Sequence, residues 1–188
     1  MARSRGRAPI YATVAVLGAL AIGLTSVALV GSAQRRDDRA AYLRYERALL
    51  PALKEGGRIV VEQMRPSFPD LGGGKIDRRT AVERASGWRE AFQRIRKDVI
   101  APVPPGFLGD VEVRWTRALN TYLEIPTLFE QAAVATGSLR TQALDRAVEV
   151  GKRADALFDR AASVMQAHRR RLGLGPTHDL PDPAIRTS

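Results

Sequence analysis

The sequence contains no cysteine, which excludes disulfides, thiolate metal sites and thiol nucleophiles. It has two histidines, His168 and His178, and neither has a glutamate three positions before it. The Glu-x-x-His ligands with which helical bundles hold paired metal ions are therefore missing. No Gly-x-Ser-x-Gly turn is present to expose a serine nucleophile. Leu71–Asp77, LGGGKID, resembles a phosphate loop only in its glycines: the Walker A spacing requires Gly at 69 and Ser or Thr at 76, where the chain has Pro69 and Ile76. These absences leave no catalytic residue, no metal ligand set and no cofactor motif, and the reading is of a protein that is not an enzyme.

Lysine is scarce, with four against 26 arginines. In a chain this rich in Ala and Gly, the bias reads first as high-GC coding and argues only weakly for phosphate recognition; nucleic acid is not the expected partner. Acidic residues are absent from positions 1–33, which hold three arginines. The rest of the chain has 27 basic and 20 acidic residues, a net +7 that attracts anionic lipid or polymer.

Charge of either sign is also missing from Ile10 to Val30, IYATVAVLGALAIGLTSVALV. As a helix these 21 residues extend ~31 Å, the thickness of a hydrocarbon core. Pro9 stands where proline suits a first helical turn, and Tyr11 is placed as an interfacial aromatic. Gly31-Ser32-Ala33 offers a small-residue cleavage site, so a signal peptide cut after Ala33 is the competing reading. The apolar run exceeds the ~7–15 residues of a signal peptide and is long enough to span, which favours a retained anchor. Arginines lie on both sides: Arg3, Arg5 and Arg7 before the run, Arg35, Arg36 and Arg39 after it. The short head contains no acid, and long following domains translocate regardless of charge, which argues for a cytoplasmic N-terminus and an outer domain. Ala15, Ala19 and Gly23 form a small-xxx-small stripe, a candidate face for a homodimer within the membrane.

Beyond the anchor, apolar residues recur at spacings of four and three, with no run that reads as a strand. The expected organisation is a basic cytoplasmic head (1–9), a transmembrane signal-anchor (10–33), a helical bundle (34–172) and a disordered tail (173–188), the tail being proline-rich and without apolar period. The fold class is all-α: an antiparallel up-and-down four-helix bundle, coiled-coil-like in its spacing, after a transmembrane helix.

The first segment, 34–64, places Leu43, Leu50, Leu53, Val60 and Met64 on one face with Glu46 and Gly57, and Pro51 and Gly56-Gly57 are expected to bend or divide it. A loop is expected over Pro66–Asp77. The second segment opens on a Thr80–Glu83 capping box and aligns Ala81, Ala85, Trp88, Phe92, Ile95 and Val99. The third, capped by Asp110, aligns Val111, Trp115, Ala118, Tyr122, Ile125, Phe129, Ala132 and Thr136. The fourth, capped by Ser138, aligns Leu144, Ala147, Gly151, Ala154, Phe158, Ala161, Met165, His168 and Leu172, and Gly173 ends it.

Three places invite polar function. Pro126 inside the third stripe predicts a kink that frees a backbone carbonyl at Tyr122, and Tyr122, Glu124 and Pro126 form a candidate polar site. Glu46 on an apolar face requires a partner, for which an arginine from another helix is the usual solution. Arg169, Arg170 and Arg171 close the fourth segment and, with Arg35, Arg36 and Arg39, form a candidate patch for anionic headgroups. The expected partners are the lipid bilayer and another protein of the bacterial envelope. A cytoplasm-facing basic bundle that binds nucleic acid or anionic lipid is the alternative.

Overall fold

The computed structural model describes the backbone of residues 8–175 and 177, and side chains from Ala33 onward. Side chains of the expected span Ile10–Val30, the stripe Ala15–Ala19–Gly23, the head 1–7 and residues 178–188 of the tail lie outside the described residues. Among the described residues no helix is long and apolar enough to cross a membrane. The chain divides into two compact units, Met1–Ala40 and Ala41–Ser188. In the first, Arg35, Arg36 and Arg39 are exposed.

All regular structure among the described residues is helical. Helix α1 covers Ala8–Arg58 and a π-helical turn covers Ile59–Met64; α2 is Arg65–Gly72 and α3 Arg78–Ile100. A 3-10 turn at Gly106–Leu108 precedes α4, Val111–Tyr122, α5, Glu124–Val134, and α6, Gly137–Arg171.

From Ala41 on, these elements make four helical segments: α1 with the π turn and α2, then α3, then α4 with α5, then α6. Their contacts run in opposite senses along the chain, as an up-and-down antiparallel bundle requires. Between the first segment and α6, Tyr42 bonds to Met165 and Arg65 to Asp155. Between the first segment and α3, Arg84 bonds to Ser67. Trp88 packs on Phe129 with ring centroids 4.9 Å apart, and Phe92 stacks on Tyr122 at 5.2 Å. Trp115 meets Phe158 edge-on at 4.8 Å.

The buried residues of α3 are the six that its spacing predicts, Ala81 to Val99. The stripe of the third segment is likewise buried from Val111 to Ala132, while Thr136 is exposed. In α6 the stripe faces inward, with Ala147, Ala154, Ala161 and Met165 fully covered.

The first segment keeps part of its expected face, with Leu53, Val60, Met64 and Glu46 buried, and departs from it in its first turns. Tyr42, Tyr45, Leu49, Ala52 and Ile59 are buried, whereas Leu43 and Leu50 are half-covered. Two tyrosines carry the apolar face here, each presenting a hydrocarbon ring to the core.

Proline and glycine also act differently from expectation. Helix α1 runs through Pro51 to Arg58 without a break. The irregularity comes later, where the Arg65 amide donates to the Val60 carbonyl five residues back. Pro66 follows at once and has no amide to give to Glu62, so the widened turn stands where the α-helical ladder would in any case fail. Helix continues to Gly72, which shortens the expected loop to five residues, 73–77.

Caps are corrected in the same way. Asp77, not Thr80, caps α3, its Oδ1 accepting from the Thr80 amide at 2.7 Å. Asp110 occupies the cap position of α4 but turns its carboxylate to Arg114. Thr136 rather than Ser138 precedes α6, and Gly137 adopts φ +57°. Gly173, φ +65°, ends α6 where a left-handed residue is needed.

Candidate functional site

The break that Pro126 predicts is present. Leu123 separates α4 from α5, and Pro126 falls in the first turn of α5, where its missing amide has no intrahelical partner to lose. Of the three residues expected to make a polar site there, Glu124 is exposed and Pro126 is buried without a polar side chain to offer. Tyr122 alone turns inward, and its hydroxyl donates to Asp155 on α6. The other Asp155 oxygen accepts from Arg65 at the head of α2, at 2.9 Å. The site is therefore Tyr122–Asp155–Arg65, drawn from three segments, with Glu124 outside it.

Apolar space opens on both sides of this chain of bonds. A groove of about 380 Å³ lies between the π turn with α2 and α6. Val60 and Met64 of the π turn, Phe68 of α2, Ile125 of α5, and Ala147 and Gly151 of α6 form its walls. Lys152, Arg65 and Asp155 are the charged residues that line it. A smaller cavity of about 40 Å³ lies against Gly56, Gly57, Ile95, Phe92 and Leu119, and shares Val60, Arg65, Tyr122 and Asp155 with the groove. The larger space falls in the 300–1,000 Å³ range of small-molecule sites and has their makeup, mostly hydrocarbon with few polar groups. A π turn on its wall is a frequent mark of functional sites.

The groove owes its depth to small residues. At Gly151 a Cβ would meet only the Ile125 Cδ1, at 3.8 Å, and Ala147 is fully buried one turn earlier. In the sequence, Gly151 looks like an ordinary member of the α6 stripe. Nothing in its spacing distinguishes a glycine that packs from one that leaves a groove.

Glu46 has the partner that its position requires. Arg169 of α6 pairs with one carboxylate oxygen, and the single hydrogen of the Tyr42 hydroxyl is shared between the other, at 3.3 Å, and the Met165 carbonyl, at 3.0 Å. Burial and the Glu46 carboxylate push the Tyr42 phenol above the usual tyrosine range. The Arg169 side chain is 15% exposed and also donates to the Gly175 carbonyl. It belongs to the bundle's internal bonding, which leaves Arg170 and Arg171 as the exposed members of the α6 basic cluster. His168 packs against Phe107 at 6.0 Å between ring centres, and burial, then Arg171, lowers its pKa.

A second basic group was not singled out in the sequence. Arg114 and Arg117 of α4 and Arg160 of α6 surround a shallow pocket of about 160 Å³ with Asp110 and Leu157. Its residues come from two helices, so no local run of charge announces it. Among the described residues no group of Asp, Glu or His is placed to hold a metal ion.

Fold and site together define a helical bundle with an apolar groove edged by paired charges. Compared with known proteins, the chain matches no family model, no curated protein and no solved structure.

Proposed function

We propose that the chain is a non-catalytic binding protein of the bacterial cell envelope, anchored by one membrane span and presenting its bundle on the outer side. The observation that carries the binding role is the groove between the π turn and α6, about 380 Å³ and lined mainly by hydrocarbon. The anchor rests on the 21 uncharged residues Ile10–Val30, and the orientation on the acid-free basic head. In this reading the bundle serves as an accessory or scaffold to another envelope protein.

The cytoplasm-facing alternative draws on Arg114, Arg117 and Arg160, whose shared pocket suits a phosphate of nucleic acid or lipid. One experiment separates the two. Ser138 is exposed at the start of α6 in a chain without cysteine, so Ser138→Cys supplies a single accessible thiol. A membrane-impermeant maleimide is expected to label it in intact cells. Protection until lysis reverses the orientation, and recovery of the full chain from the aqueous fraction removes the anchor.

A further inference from the structure

We propose that the groove binds an anionic amphiphile of the fatty-acid class, an unbranched alkyl chain ending in a carboxylate. The proposal rests on the bundle being a binding module, and adds the chemistry of what it binds.

The walls select the chain. Val60, Met64, Phe68, Ile125 and Ala147 offer hydrocarbon with no polar atom that a ligand must satisfy. Each methylene moved from water to such a surface tightens binding about fourfold. Met64, unbranched and polarizable, adapts to an irregular alkyl contour.

The mouth selects the headgroup. Both Asp155 oxygens are engaged, one by the Tyr122 hydroxyl and the other by Arg65. Arg65 makes that bond through one Nη and is half-exposed, so other guanidinium N–H groups of its fork face solvent. Lys152 donates to Glu149 at 2.7 Å and has further ammonium hydrogens to offer. Among the charged side chains that line the groove, the cations Arg65 and Lys152 outnumber the one carboxylate, Asp155. A carboxylate headgroup fits that excess by accepting from both cations, whereas an alkylammonium is repelled by it.

The test uses the full chain in phosphatidylcholine nanodiscs with three photoreactive probes, dodecanoic acid, dodecanol and dodecylamine, each bearing a terminal diazirine. After irradiation, adducts are mapped by peptide mass spectrometry. The acid is expected to label residues 60–68 and 147–151, and the amine to label them about tenfold less. Gly151→Leu fills the groove from a position where the fold has room for a side chain, and improves helix propensity. By excluding about two methylenes it should lower acid labelling about tenfold. Lys152→Met should narrow the preference for acid over amine, lowering acid labelling more than dodecanol labelling.

Equal labelling by acid and amine overturns the anionic class and leaves the groove as a site for neutral chains. Groove labelling that Gly151→Leu does not reduce overturns the groove as its location. Failure of all three probes to label these peptides overturns the binding role with it, whereas the Ser138 experiment reports on the anchor independently.

Discussion

At the residue scale, the most consequential side chains are those whose partners lie far away in the sequence. Glu46 is 5% exposed and is held by Arg169 and Tyr42, the arginine 123 positions along the chain. A carboxylate at that depth is tolerated because a cation and a hydroxyl replace its water. Removing one partner leaves the other charge uncompensated. Arg169→Met is therefore expected to destabilise the bundle by about 3–5 kcal/mol in urea unfolding, and pairing it with Glu46→Leu to restore most of the loss. A single-variant loss below about 1 kcal/mol would assign the pair to the solvated surface. That Glu46 needs an arginine was legible from its place on an apolar stripe. Which arginine it was depended on how α6 is rotated, and three consecutive arginines on one helix look alike until a neighbour buries one of them.

At the scale of elements, the long regular helices were legible, as were the ends of α3 and α6, while two of the helix starts were misplaced. The α3 stripe matches its burial residue for residue because a 3.6-residue period is a local property. Its start was misplaced by a local competitor: Thr80 and Glu83 have capping-box spacing, but Asp77 reaches the Thr80 amide first. That bond lowers the Asp77 pKa below the ordinary 3.8, followed by the Thr80 side chain and, more weakly, Arg79. A depressed carboxylate stabilises the fold above its unfolded pKa, and the benefit is lost as pH falls through the folded value. Asp77→Ala should thus lower Tm by a few degrees at pH 7, with the gap between variant and wild type closing below about pH 3.8. A gap that persists undiminished at low pH would assign the effect to helix propensity instead. The π turn is the other element that periodicity misses. One extra residue per turn changes the facing of everything that follows, and Pro66 marks the place without stating how the chain responds.

At the scale of the whole molecule, every fully buried apolar residue among the described side chains lies between Tyr42 and Met165, with Leu172 and Leu174 packed against that core. Among the described residues the unit Ala41–Ser188 therefore contains the apolar burial that opposes chain entropy. A chain beginning at Ala41 is expected to unfold in one cooperative transition, with near- and far-ultraviolet circular dichroism coincident and a midpoint within a few degrees of the full chain. Separate transitions for the two signals would show that the preceding residues complete the core.

The sequence by itself determined that this chain is helical, where its long helices run, and that most of their apolar stripes turn inward. It also carried an uncharged stretch of spanning length at its head. All of these follow from spacing and composition within a few turns. Tertiary structure alone decided that Arg169 is internal while Arg170 is not, that Tyr122 answers to Asp155 rather than to Glu124, and that a glycine and an alanine on α6 face a π turn to leave a groove. Those outcomes depend on the rotation of one helix against another, and helix rotation is set by the packing of all four segments together.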